Sequence, residues 1–211
     1  MSQNFNGRLV GKKVTSPFSG VFTLNNVAVE QRAGNWPLTT VPLIAGFNQN
    51  SAVTAFTAST EISAARNAEA AFDNSTDAEN GCWHGTANDL GWLKVQFSSA
   101  RRIVRYKIWR RAGTNTSRVS EWTFQGSNDN SNWTDLHNAG ESGTGASQTI
   151  TWPSNPPDTD DLFDLTDRDT YGLTFTDADF TNNTAYTYYR FDVNEVVNTY
   201  PVIGEVALYG Y

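Results

Sequence analysis

The chain has 211 residues, 38% of them apolar and 13% aromatic, with a net charge of −7. That length suits one large domain with an extension, and the acidic balance argues against nucleic-acid binding by phosphate neutralisation and against adsorption to an anionic membrane. The single cysteine, Cys82, excludes an intrachain disulfide and any metal site built on several thiolates, and it reads as a buried, inert thiol.

The opening stretch, MSQNFNGRLVGKK, lacks the apolar core of a secretory signal, and no run reaches the roughly 20 apolar residues of a membrane span. Synthesis and folding in cytosol is therefore the expectation. Residues 26–34 predict a short helix that Asn26 caps and Gly34 ends. With Pro17, Pro37 and Pro42 and few apolar residues, residues 1–46 cannot bury a core of their own, so they predict an arm leaning on a larger body.

From residue 47 onward, many Thr, Val, Trp, Tyr and Phe separated by Gly, Asn, Ser and Asp predict an all-β domain. Residues 53–57 alternate as a strand, and residues 91–97 and 102–110 alternate again. Residues 120–136 predict a hairpin: Trp122 and Phe124 alternate, a turn follows at 126–130, and Trp133 and Leu136 fold back. Trp83, Trp92, Trp122 and Trp133 are all expected to point inward.

Residues 138–187 are punctuated by Gly140, Gly143, Gly145, Pro153, Pro156, Pro157 and the acidic run 158–161, which predicts an insertion or functional loop holding short strands at 149–152 and 173–175. The histidines, His84 and His137, lie far apart, and there is no nucleophile elbow, zinc-protease helix or phosphate loop. The carboxylates between 158 and 169 crowd a loop with no rigid scaffold to fix a catalytic separation, so the chain reads as a non-enzyme.

The hairpin's Ser127-Asn128-Asp129-Asn130 followed by Trp133 resembles a hallmark of the discoidin domains, also called coagulation factor five/eight C-terminal domains, and of related galactose-binding-like carbohydrate modules. Other blocks follow in that family's order. Residues 63–74 resemble its opening block, in which alanines pack a short helical turn before an Ala-x-Asp loop, here Ala71-Phe72-Asp73-Asn74; Trp92-Leu93-Lys94-Val95-Gln96-Phe97 resembles its Trp-Leu-x-Val-Asp-Leu strand with Gln96 for Asp, and residues 186–193 and 203–210 its closing pair of strands. Gly81-Cys82-Trp83 departs from its usual Thr-x-Trp and follows a longer loop.

The resemblance implies a jelly-roll β-sandwich over about residues 47–211, interrupted by the 138–187 insertion. It also implies a structural calcium ion held by the side chains of Asp73 and Glu205 with a carbonyl near Ala70, Asn74, Thr76 and Asn80 being further oxygens. The alternative for these residues is that Asp73 caps a turn and Glu205 pairs with an arginine. Sugar binding is implied on loops at one end, with His84, Trp109, Arg110, Arg111 and Arg118 as candidates beside Trp152 and Tyr171 of the insertion. For Arg118 the alternative is a brace on the hairpin.

In the arm, residues 20–27 and 32–37 are similar to N-terminal segments of tailed-bacteriophage virion proteins. That resemblance implies a virion structural protein, anchored to other virion proteins through Phe22, Leu24, Arg32 and Trp36, oligomeric in the particle, and displaying its β domain toward host surface carbohydrate for attachment. A stand-alone carbohydrate-binding module of a bacterial extracellular protein and a decoration domain without ligand are the alternatives.

Overall fold

The computed structural model describes residues 53–211 apart from 89, 114–116 and 163–164. The arm at 1–46, with its expected helix and the anchoring residues Phe22, Leu24, Arg32 and Trp36, lies outside the described residues.

Eleven strands follow in order: β1 (Val53–Ala58), β2 (Trp83–His84), β3 (Trp92–Arg101), β4 (Ile103–Trp109), β5 (Arg118–Ser127), β6 (Thr134–Glu141), β7 (Gln148–Ile150), β8 (Gly172–Phe175), β9 (Tyr186–Val197), β10 (Val202–Ile203) and β11 (Glu205–Gly210). They form a six-stranded sheet in the order β1-β3-β9-β5-β6-β7, a three-stranded sheet β11-β4-β8, and a small β10-β2 pair. All pairings are antiparallel except β6 with β7. This is the expected jelly-roll-type β-sandwich, open rather than closed into a barrel.

The alternation seen in the sequence is the alternation of burial. In β3, Leu93, Val95 and Phe97 are buried, and register sets Leu93 opposite Phe191 of β9, which lies opposite Phe124 of β5. From the facing sheet come Tyr106, Ile108, Val206, Leu208 and Phe175. Tyr106 sits among Phe124, Phe175 and Phe191, with ring centroids 4.8, 4.8 and 5.3 Å away.

A polar chain crosses this core. Trp122 Nε1–H donates to the Tyr106 hydroxyl at 3.0 Å, and that hydroxyl is 2.7 Å from His137 Nδ1. His137 Nε2 meets the Gln148 amide oxygen, and Gln148 Nε2 donates to Asp179 Oδ1 at 3.0 Å. One proton order satisfies every member: Tyr106 donates to Nδ1, and His137 carries its proton on Nε2.

Two expected core residues are not core. Trp83 and Trp122 are fully buried, but Trp92 and Trp133 are half-buried. With Leu93, Val95 and Phe97 inward, the period of two sends Trp92 to the outer face of the large sheet. There Lys94 Nζ stands 4.6 Å from its ring, and the Arg190 guanidinium stands 4.2 Å from Trp133. The 138–187 stretch also departs from an unpatterned insertion. It supplies the second half of β6 and all of β7 and β8, and its Leu162, Leu165 and Tyr171 cover Trp109, Ala207 and Tyr209 on the outer face of the small sheet.

Candidate functional site

One end of the sandwich gathers the end of β4, the start of β11, the β2–β10 pair and the loops between them. Two groups of side chains stand out there. The first is acidic. The 3-10 turn Glu69–Ala71, with Ala70 and Ala71 buried, leads into Asp73 and then Asn74, which takes a left-handed φ of 70°.

Asp73 Oδ1 accepts the Ser75 amide at 2.9 Å, the turn-capping role allowed for it. Glu205 is fully buried; its Oε2 accepts the Asn74 amide at 3.1 Å, whereas Oε1 has no partner. No arginine pairs with Glu205 among the described residues. Burial, and then the Asp73 charge, pushes the Glu205 carboxyl well above the ordinary range. Asp73 keeps an exposed edge, yet crowding of water from its carboxyl, with Asp160 and Asp77 adding to it against two backbone hydrogen bonds, pushes it up to about 6.

The loop after Asp73 is fixed by the segment at 157–162. The Thr76 amide donates to Thr159 O at 2.9 Å, Thr76 Oγ1 donates to Pro157 O at 2.7 Å, and the Leu162 amide donates to Asn74 O at 2.7 Å. Thr76 and the Asn74 side chain, which reaches Asp161 Oδ1 at 2.6 Å, are thus engaged with that segment, and Asn80 is exposed. Gly81 is required here, since a Cβ would stand 2.7 Å from the Asp77 amide nitrogen. Among the described residues, no group of three or more His, Cys, Asp or Glu side chains can hold a metal. A cation at Asp73 and Glu205 would need backbone carbonyls, which suits a hard ion such as calcium.

The second group centres on His84. Its backbone is held by Arg66 O at 3.2 Å and by the Ile62 amide at 2.8 Å. Its ring meets Tyr200 edge-on, with centroids 4.9 Å apart. Both ring nitrogens are buried and have no hydrogen-bond partner. Burial, then the charges of Arg111 and Arg66, pushes the imidazole down to about 4, so the ring is neutral near pH 7. The Gly85 amide donates to Pro201 O at 3.0 Å, and a Cβ on Gly85 would lie 2.7 Å from the Pro201 ring, which ties the Tyr200 loop closely to His84. Arg111 is half-buried, and its charge acts on the Cys82 thiol, whose pKa burial nonetheless raises; the thiol is buried as expected.

The remaining sugar candidates separate from this group. Trp109 is fully buried and donates its indole N–H to Arg168 O at 3.1 Å, so it has no free face for stacking and is a core residue of the small cluster. Arg118 grips Glu141 with Nε at 2.7 Å from Oε1 and Nη2 at 3.0 Å from Oε2, the bracing role allowed for it. Arg110 is half-buried, and burial, then the Arg118 charge, lowers its pKa. Trp152 packs into the main core, 5.8 Å from Trp122, and Tyr171 packs on the small cluster and donates to Asp167 Oδ2. The loop end therefore joins His84 and Arg111 and adds Tyr200 and Arg66. Sequence reasoning missed these two because nothing local marks a residue that meets His84 from a distant loop.

Residues 55–160 match the F5/8 type C domain. The chain belongs to that family. Among solved structures, the fold is similar to CBM32-3 from a family 31 glycoside hydrolase of Clostridium perfringens, with a TM-score of 0.52, 18% identity, and 76% of this chain and 92% of that one covered. It is also similar to a chitosan-binding module from a chitosanase/glucanase of Paenibacillus sp. IK-5, at TM-score 0.51 and 21% identity over 74% of this chain and 93% of that one. The family 32 module of C. perfringens NanJ, solved with galactose, gives TM-score 0.51 and 16% identity over 74% and 92%. At these identities the likeness is one of fold. No curated protein sequence matches the chain.

Proposed function

We propose that this F5/8 type C domain is a non-catalytic carbohydrate-binding module that holds a sugar at the loop end around His84, Arg111 and Tyr200. The observation that carries the reading is His84: a neutral imidazole with both nitrogens unpartnered, beside a guanidinium and an aromatic ring. Buried polar groups are almost always hydrogen-bonded. A sugar hydroxyl both donates and accepts, as a neutral imidazole does, and Arg111 supplies further donors. Both nitrogens are sealed from solvent, so binding requires the Tyr200 loop to shift. Modules of the same fold have been solved with galactose and with chitotriose, which supports sugar as the ligand class.

Calcium belongs to the same reading. Asp73 and Glu205, with carbonyls near Ala70, would hold it, and the unpartnered Glu205 Oε1 and the raised Asp73 carboxyl fit a cation between them. The bound ion would neutralise two adjacent carboxylates and stiffen the loop that carries Cys82, Trp83 and His84. A glycan array probed with the full chain, with calcium and with chelator, tests the proposal. Binding to a defined set of sugars supports it; no binding in either condition leaves the domain a structural decoration.

The finer reading is a bacteriophage virion component, in which the arm at 1–46 docks on other virion proteins and the module faces host glycan. Its support is the sequence of residues 20–37. Deleting 1–46 is expected to abolish incorporation into particles; assembly without the arm contradicts the anchoring role.

A further inference from the structure

We propose that the end of the three-stranded sheet's outer face beyond the cover of Leu162, Leu165 and Tyr171, where Arg105, Arg102 and Tyr211 lie, is a second binding surface, separate from the loop end, for a carboxylate-bearing polysaccharide. Along β4, Tyr106 and Ile108 enter the core, so Arg105, Lys107 and Trp109 take the outer face, where β11 sets Tyr209 directly opposite Arg105 and Ala207 opposite Lys107. The Arg105 guanidinium lies 3.7 Å from the centre of the Tyr209 ring. Its Nε is buried and has no acceptor.

Beyond Arg105, Arg102 stands 5.3 Å from the ring of Tyr211, which is 45% exposed, and its Nε donates to Asn182 O at 2.7 Å. Neither Arg102 nor Arg105 has a carboxylate partner among the described residues. On the other side, Asp169 is shared by Lys107 at 2.5 Å and Arg168 at 3.4 Å. Arg168 stands toward the Trp109 end of β4, where its carbonyl accepts the indole N–H at 3.1 Å. Lys107 is buried and, like Arg168, answered by Asp169, so Arg102 and Arg105 are the two cations left without a carboxylate, on a chain whose net charge is −7.

An arginine held against a tyrosine ring with no carboxylate partner is preorganised for a planar anion at its outward-facing amino groups. A carboxylate accepts two parallel N–H bonds from the guanidinium fork, and charge-assisted pairs of this kind are the strong ones. The exposed Tyr211 ring offers an apolar face to the C–H side of a sugar. Duplex nucleic acid carries a charge about every 1.7 Å of its axis, far more than this strip can neutralise on an acidic protein. A polyuronate carries one carboxylate per sugar, which suits two cations, Arg102 and Arg105, three residues apart.

The test uses the full chain in affinity electrophoresis through a polyuronate, through the same polymer reduced to its neutral form, and with single-stranded DNA as competitor. Retardation by the polyuronate alone is expected, with Arg105→Gln weakening it about tenfold or more at an unchanged melting temperature. Retardation that Arg105→Gln leaves intact, or equal affinity for DNA, overturns the assignment. Should Arg105→Gln fold poorly, amide shifts of the wild-type chain on adding polyuronate decide the matter. Changes along 103–109 and 205–210 support it, and changes confined to His84 and Arg111 overturn it.

Discussion

Replacing Glu205 by Gln should reverse the sign of its effect on stability according to whether calcium is present. Without metal, a fully buried carboxylate with an unpartnered oxygen beside Asp73 opposes folding when ionised. Gln keeps the acceptor for the Asn74 amide and removes the charge, so in chelator near pH 7 the variant should melt no lower than wild type. With calcium, the wild-type chain gains what the ion's binding contributes, about 2.7 kcal/mol at a hundred times its Kd. For a domain of this size that is a rise of roughly 5–10 °C, taking about 2–4 °C per kcal/mol. The variant, lacking the anionic oxygen, should gain little. Thermal melts followed by circular dichroism read all four conditions. A wild-type melting temperature indifferent to calcium, together with a variant that melts lower in chelator, would refute both the metal reading and the account of Glu205 as an uncompensated charge.

The same pair gives a pH dependence. Both folded carboxyls titrate above their unfolded values, so the stability they contribute is present at low pH and is lost as pH rises through the folded pKa, about 6 for Asp73. In chelator the melting temperature should therefore rise as pH falls from about 7 to about 5, and with calcium it should fall, because protons compete with the ion; melts across that range check it. Tyr106→Phe leaves Trp122 Nε1 and His137 Nδ1 unpaired in the core and should destabilise by about 1–3 kcal/mol for each, read as a lower melting temperature with the fold retained. Trp109→Ala should cost about 3–5 kcal/mol of stability through the cavity it leaves, while the folded protein keeps its sugar affinity by calorimetric titration.

The frame of this fold was open to reading because its strands each bury one face. Leu93, Val95 and Phe97 in β3, and Tyr106 and Ile108 in β4, write that burial as a period of two. The same period, applied strictly, would have put Trp92 outside; its size suggested core, but Lys94 and Arg190 give Trp92 and Trp133 cationic partners on the surface instead. Trp109 shows the opposite case. Alternation sends it outward correctly, and only the covering by Leu162, Leu165 and Tyr171, from far along the chain, buries it. Likewise Tyr200 reaches His84 through the β2–β10 pairing, which no local pattern encodes.

The claim that sugar binds at the loop end is tested most directly by calorimetric titration of the calcium-loaded full chain with the best glycan found on an array, beside His84→Ala and Arg111→Ala. The account predicts measurable binding by wild type and a loss of about tenfold or more in each variant at an unchanged melting temperature. Variants that bind as tightly as wild type would contradict it.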